Sequence, residues 1–153
     1  MSALTTEQRH ALASARIDAR GPRFTAAVTA LVLIAVLSLP PTAATVLIAV
    51  QAALFAVGAL AGVQHTPTAW AFRRFVRPRL AGTTDFEDPQ PLRFAQAVGL
   101  VFALVSLAGF LTGLLPLALA AAGLALVATL LNALFGFCLG CEIYLILKRI
   151  TSA

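Results

Sequence analysis

The sequence predicts an all-α membrane protein, with four transmembrane helices arranged as two hairpins and with short interfacial helices. Three observations predict it. First, two stretches carry no charged residue, Phe24 to Gln64 and Phe94 to Cys141, each about twice the ~20 residues a helix needs to cross the hydrocarbon core of a bilayer. Second, each stretch is interrupted near its middle by helix breakers, Leu39-Pro40-Pro41-Thr42 in one and Thr112-Gly113-Leu114-Leu115-Pro116 in the other. Third, only 11% of the 153 residues are charged and 60% are hydrophobic. So few charges cannot cover the surface of a soluble domain.

The chain reads as one membrane domain over 1–153. Residues 1–20 form a polar N-terminal segment, with Thr6 before Glu7 as a helix cap. Residues 24–64 are the first transmembrane hairpin. Residues 65–93 are a loop holding an interfacial helix, Thr68 to Arg77, with Phe72, Phe75 and Val76 on one face and Arg73, Arg74 and Arg77 on the other. That pattern suits a helix lying among lipid headgroups or meeting a partner. An acidic turn, Gly82 to Pro91, leads into the second hairpin, residues 94–141, and residues 142–153 are a tail. All eleven basic residues fall before, between or after the hairpins, and none in the two tight connections. The positive-inside rule then places both termini and the central loop in the cytoplasm. Arg dominating over Lys, with abundant Ala and Leu, is the coding bias of a GC-rich bacterial genome, and the expected location is the bacterial cytoplasmic (inner) membrane. A cleaved signal peptide ending near Thr42-Ala43-Ala44 is the competing reading of the N-terminus. The net charge of +5 lies at membrane-surface positions, so it calls for a lipid bilayer and not nucleic acid.

The halves look like repeats. Arg23-Phe24-Thr25-Ala26-Ala27-Val28 matches Arg93-Phe94-Ala95-Gln96-Ala97-Val98, and Gly58 to Gly62 matches Gly136 to Gly140 in spacing. Two crossings per repeat imply parallel repeats about an axis along the membrane normal. Gln51 shares a helical stripe with Gly58 and Gly62, and Asn132 with Gly136 and Gly140. Small-xxx-small stripes carrying amides predict a seam between the second and fourth spans. The amides serve either as packing contacts or as solute ligands.

The residues with the clearest chemistry are Cys138 and Cys141, a Cys-x-x-Cys at the end of the fourth span. Such a pair suits dithiol–disulfide exchange, because one thiol can resolve a mixed disulfide made by the other. The chemistry is best when the first cysteine sits at a helix N-terminus, which here requires a break near Gly136 or Gly140; a continuous helix is the alternative. The expected resting form is the dithiol, and the bland reading is two small hydrophobes. A zinc site would have to recruit His10 and His65, so no metal is expected, and no motif calls for a cofactor. No span holds an acidic residue to relay protons; Glu142 directly follows Cys141. No nucleotide-binding glycine loop, serine triad or metalloprotease helix is present.

Asp18 to Phe24, Glu87 to Gln96 and Phe137-Cys138-Leu139-Gly140-Cys141-Glu142-Ile143-Tyr144 resemble the signature segments of domain-of-unknown-function family 4395, small actinobacterial membrane proteins. The resemblance runs from Ile17 to Arg149. It implies, by association, a link to thioredoxin-like proteins and sulfurtransferases. The leading expectation is thiol–disulfide exchange or persulfide transfer at Cys138 and Cys141, with such a partner docking on the Arg73 to Arg79 segment. The alternatives are a carrier or channel for a small anion such as a sulfur oxyanion, working as a homo-oligomer, and a non-catalytic scaffold or accessory subunit.

Overall fold

The computed structural model describes residues 5–7 and 16–152. Arg9, His10 and the rest of the expected N-terminal helix beyond Glu7 lie outside them. Four helices are long and apolar enough to cross a membrane: α1 (Arg20–Ser38), α2 (Pro41–Leu60), α4 (Pro89–Thr112) and α5 (Leu115–Phe135). Two shorter helices follow the second and fourth of these, α3 (Pro67–Ala71) and α6 (Leu139–Thr151).

The breakers act as their chemistry requires. Leu39 precedes Pro40 and is extended at ψ 160°, because the proline ring excludes the helical conformation from the residue before it. Pro41 then opens α2, where its missing N–H costs nothing. The Asp88 carboxylate accepts the Gln90 N–H and caps α4. Gly113 closes α4 at φ 79°, in the left-handed region that favours glycine.

A short antiparallel ribbon was not foreseen. β1 (Ile17–Asp18) pairs with β2 (Phe86–Glu87), Ile17 opposite Glu87 and Asp18 opposite Phe86. Strands of two residues leave no periodicity to read. The interfacial helix also differs from expectation. After α3 the chain winds as a π-turn over Phe72–Val76 and a 3-10 turn over Arg77–Arg79. The wider winding splits the expected apolar face. Phe72 is buried against Phe24, whereas Phe75 is exposed and stacks edge-on against Trp70.

Helix α4 holds the bundle together. It packs on α2, on α5 and on α6, while α1 packs on α5 and α2. The core is built from Leu33, Val36, Ala44, Ile48, Ala52, Phe55, Ala103, Ala122 and Ala125. Leu31, Val46, Val101, Leu111 and Leu124 point outward, as side chains facing lipid do.

The expected seam between the second and fourth spans is corrected. Gly58 lies under Gln96 of α4, where a Cβ would sit 2.7 Å from Oε1. Gly140 lies on α6 against Ala95 of α4. Gly62 and Gly136 are in no helix; they terminate α2 and α5 with φ of 108° and 68°. The stripe argument assumed unbroken helices, and these two glycines break them. The face that allows close approach belongs to α4. A Cβ on Gly99 would stand 2.7 Å from the Phe55 ring, and one on Gly109 would stand 2.6 Å from the Ala118 nitrogen. Ser106 Oγ donates to the Ala118 carbonyl at 2.9 Å.

Gly99→Leu is therefore expected to destabilise the fold by about 1–3 kcal/mol, the usual cost of overpacking a filled contact. Gly123→Leu, where a Cβ meets nothing within 4 Å, should cost less. Denaturant titration of the two variants in mixed micelles checks the order; equal losses would refute the packing.

Candidate functional site

The ends of the spans set the geometry at the cysteines. Helix α5 stops at Gly136, whose N–H donates to the Asn132 carbonyl, while the Phe137 N–H reaches back to Leu131. This is the pattern of a left-handed glycine cap. The chain turns, and Cys138 becomes the N-cap of α6 with φ −88° and ψ 101°. Its Sγ accepts the Cys141 N–H at 3.3 Å. Cys138 and Cys141 are disulfide-bonded, with Cα atoms 5.2 Å apart, inside the 4.4–6.8 Å range such a bond requires. The two sulfurs are thus brought together at the start of a helix. Gly140 lets the start of α6 sit on Ala95, and Tyr144 stacks on Phe94 with ring centroids 5.7 Å apart. The disulfide is pinned to the start of α4. Glu142 is exposed in the first turn of α6, where a negative charge complements the helix dipole.

Cys138 lines a cavity of about 550 Å³ that runs inward among the spans. Phe55, Phe102 and Ala125 form its deep wall, and Thr29, Gln96, Thr129 and Asn132 supply its polar groups. Among the described residues, none hydrogen-bonds to the side chains of Thr29, Gln96 or Asn132. Gln51 is buried, and with Thr29 and Gln96 it borders a second void of about 30 Å³, room for one water molecule. So the predicted amides, Gln51 and Asn132, border two different cavities and do not meet across a helix seam.

The mouth of the large cavity carries Arg16, Asp18, Arg73 and Arg77. The Asp18 carboxylate is buried and accepts from Arg20 Nε at 3.1 Å, Arg20 Nη2 at 2.9 Å and the Arg20 backbone N–H at 3.0 Å. Arg77 stands 4.0 Å away, and Arg73 donates to the Gln64 carbonyl at 2.9 Å. Arg74 is exposed and does not line the cavity. The Arg20 hydrogen bonds hold the Asp18 carboxyl below its ordinary value against the opposing effect of burial, and Arg77 adds to the lowering. At Glu87 burial pushes the carboxyl up, and the Asp85 charge adds to this.

Two helix-capping side chains escaped the sequence reading. Arg93, at the start of the third span, donates to the Ala59 and Leu60 carbonyls at the end of α2, at 3.1 and 2.9 Å through Nη2. Arg23, at the start of the first span, reaches the Ala133 and Leu134 carbonyls at the end of α5, both at 3.5 Å. Each guanidinium covers helix C-terminal carbonyls that lack partners. The Arg-Phe pair shared by the two halves was the available signal. His65 lies exposed in a 3-10 turn (Val63–His65), and no three His, Cys, Asp or Glu residues cluster as a metal site would need among the described residues.

The fold and site define a multi-pass helical membrane protein with a disulfide at the N-terminus of a short helix and a cavity beside it. The chain belongs to the family described as Domain of unknown function (DUF4395), whose model matches residues 17–149. Neither the curated proteins nor the solved structures contain a match.

Because the folded Asp18 carboxyl titrates below its unfolded value, its stabilisation is fully present above the unfolded pKa of about 4 and is lost as pH falls through the lower folded value. Asp18→Asn should lower the unfolding midpoint at pH 7 and flatten the acid limb of the stability curve. Unfolding followed from pH 7 down to pH 3 checks this. An unchanged acid limb would place the acid sensitivity elsewhere.

Proposed function

We propose that the protein exchanges disulfides with a dithiol partner through Cys138 and Cys141. The observation that carries this reading is the position of Cys138 at the N-cap of α6 with its sulfur on the Cys141 N–H. A thiolate formed there is stabilised by the hydrogen bond and the helix dipole, which makes Cys138 the better leaving group of the two. A partner thiolate attacks Cys141 Sγ, the Cys138–Cys141 bond breaks, and Cys138 leaves as thiolate. The partner's second thiol then attacks its own sulfur in the mixed disulfide and releases Cys141. The net change is one disulfide reduced here and one formed on the partner. A thioredoxin-like protein suits this step. A sulfurtransferase suits the related transfer of a sulfane sulfur to the Cys138 thiolate. Arg74 and Arg79, exposed beside the cavity mouth, offer a cationic docking surface.

The same reading places both termini, the loop between the hairpins and the cysteines in the cytoplasm of a bacterial cell. It treats the halves as parallel repeats, which the exchanged caps of Arg23 and Arg93 support. An anion carrier is the second reading, favoured by the arginines at the cavity mouth. Arg73 and Arg77 are engaged with Gln64 and Asp18, and the apolar deep wall disfavours a hydrated ion. A scaffold role would leave cysteine variants without effect.

Cys138→Ser is expected to accumulate a mixed disulfide when its lone Cys141 thiolate attacks an oxidised partner, because Cys138, whose attack would resolve that adduct in the reverse exchange, is gone, whereas Cys141→Ser should retain far less. Acid quenching of cells, alkylation and non-reducing electrophoresis test the asymmetry. Absence of any adduct in both variants, with unchanged thiol metabolism, would sink the exchange reading.

Single cysteines placed at Thr42 and Gly113 in a chain lacking Cys138 and Cys141 should react with a membrane-impermeant maleimide from outside the cell, and one at Thr84 only after lysis. Labelling at Thr84 in intact cells would invert the topology.

A further inference from the structure

The cavity beside Cys138 has a shape and chemistry that the exchange reaction leaves unused. Its wall is mostly apolar, and at about 550 Å³ it falls in the range of sites for small organic ligands. It is also open sideways. Leu124, Val127 and Ile143 line it and are at the same time 59%, 57% and 39% exposed on the lipid-facing surface. The opening exists because α6 packs on α4 and scarcely touches α5, the helix it follows. A ligand can therefore enter from the bilayer without passing the charged mouth. Inside, the Gln96 and Asn132 amides and the Thr29 hydroxyl have no partner among the described residues, and Thr29 is only 4% exposed. Their polar atoms open onto the cavity and are not sealed inside protein, so a ligand acceptor can reach them. An acyl chain offers no acceptor. A hydrated anion does not match the apolar wall.

The geometry points to a lipid-soluble quinone as the ligand of this cavity and the electron acceptor for Cys138 and Cys141. The inference rests on the exchange reading and names its second substrate. A quinone presents two carbonyl oxygens to amide and hydroxyl donors and an isoprenoid tail to a lipid-facing gap. After exchange with a partner the pair is a Cys138 thiolate and a Cys141 thiol. The Cys138 thiolate adds to the quinone ring, and the ring oxygen takes a proton from water. Cys141, having lost its proton to water, attacks Cys138 Sγ; the carbon–sulfur bond breaks and its electron pair stays on the ring. A second proton from water completes the quinol. The dithiol loses two electrons and two protons, and the quinone gains both. Cys138 faces the ring because it lines the cavity, whereas Cys141 does not, which leaves Cys141 to the soluble partner.

The test uses the full chain in lipid nanodiscs, reduced with dithiothreitol and desalted. The probes are fully substituted decyl benzoquinone and decyl naphthoquinone, which resist permanent arylation of thiols. Quinol formation is followed by absorbance and the cysteines by a maleimide gel shift. The expected result is about one quinol per reduced pair, none with Cys138→Ser or Cys141→Ser. The double variant Gln96→Ala, Asn132→Ala should raise the half-saturating quinone concentration about tenfold, the loss expected from removing donor hydrogen bonds. Ala128→Trp fills the cavity from α5 and should abolish quinone reduction while leaving exchange with dithiothreitol intact, which separates a blocked site from a misfolded chain. A reduced pair that exchanges with dithiothreitol but is oxidised by neither quinone overturns the inference and spares the exchange reading. Equal quinone rates in wild type, Ala128→Trp and the double amide variant also overturn it, because the reaction then lies outside the cavity. Cysteines that exchange with no dithiol remove the electron donor and overturn both.

Discussion

The close approach of α4 to three neighbours is the constraint on which the rest of the structure depends. Lipid tails are as apolar as leucine, so burial alone does not draw these helices together; packing and the few polar contacts must do it. Helix α4 meets that need with Ala95, Gly99, Ala103, Ser106 and Gly109 along its length. Phe55 fills the space over Gly99, Ala118 fills that over Gly109, and Gly140 meets Ala95. The last of these contacts fixes where α6 starts, and so fixes where the cysteines lie. A larger residue at the α4 end would push α6 outward and take Cys138 away from the cavity wall.

The two halves end their second spans in a similar way. In each, a glycine with positive φ ends the second span, Gly62 or Gly136, and an arginine from the other half covers the exposed carbonyls. In each, a side chain then caps a following helix by accepting the N–H three residues on. Thr66 Oγ1 accepts from Ala69 in the first half, and Cys138 Sγ accepts from Cys141 in the second. The hydroxyl is a structural cap only. The sulfur at the corresponding place is a cap that is also paired with Cys141. A position built to stabilise a helix start is thereby also one that stabilises a thiolate.

Polar groups are divided by depth. The charges that line the cavity stand at its mouth, where Asp18, within the β1–β2 ribbon, joins Arg20 and Arg77 and ties residues before the first span to the segment before the third. Deeper in, only uncharged donors and acceptors occur: Thr29, Gln51, Gln96, Thr129 and Asn132. This gradient suits a neutral, lipid-borne ligand in the interior and a charged macromolecular partner outside it, with Cys138 and Cys141 at the boundary between the two.

The class of the protein, its four long apolar helices and the candidate cysteines were legible because they rest on local properties. An uncharged run of forty or more residues has few alternatives to two spans, prolines and glycines stop helices wherever they stand, and a Cys-x-x-Cys is a matter of spacing. The seam, the cavity and the guanidinium caps were not legible, because each depends on which helices become neighbours. Gly58 and Gly136 look alike as letters in a stripe, yet one packs under Gln96 and the other ends a helix, since only the path of the chain decides whether a glycine serves close approach or positive φ. Asn132 reads as a seam amide and Gln96 only as part of a repeat, yet packing leaves both lining one cavity. By itself the sequence determined that the chain spans a membrane and where each helix can begin and end, through hydropathy and backbone sterics. The tertiary structure alone decided that α4 sits at the centre and that α5 and α6 part beside Cys138, because the fit of small residues against large ones is a property of pairs of helices and is written in neither helix alone.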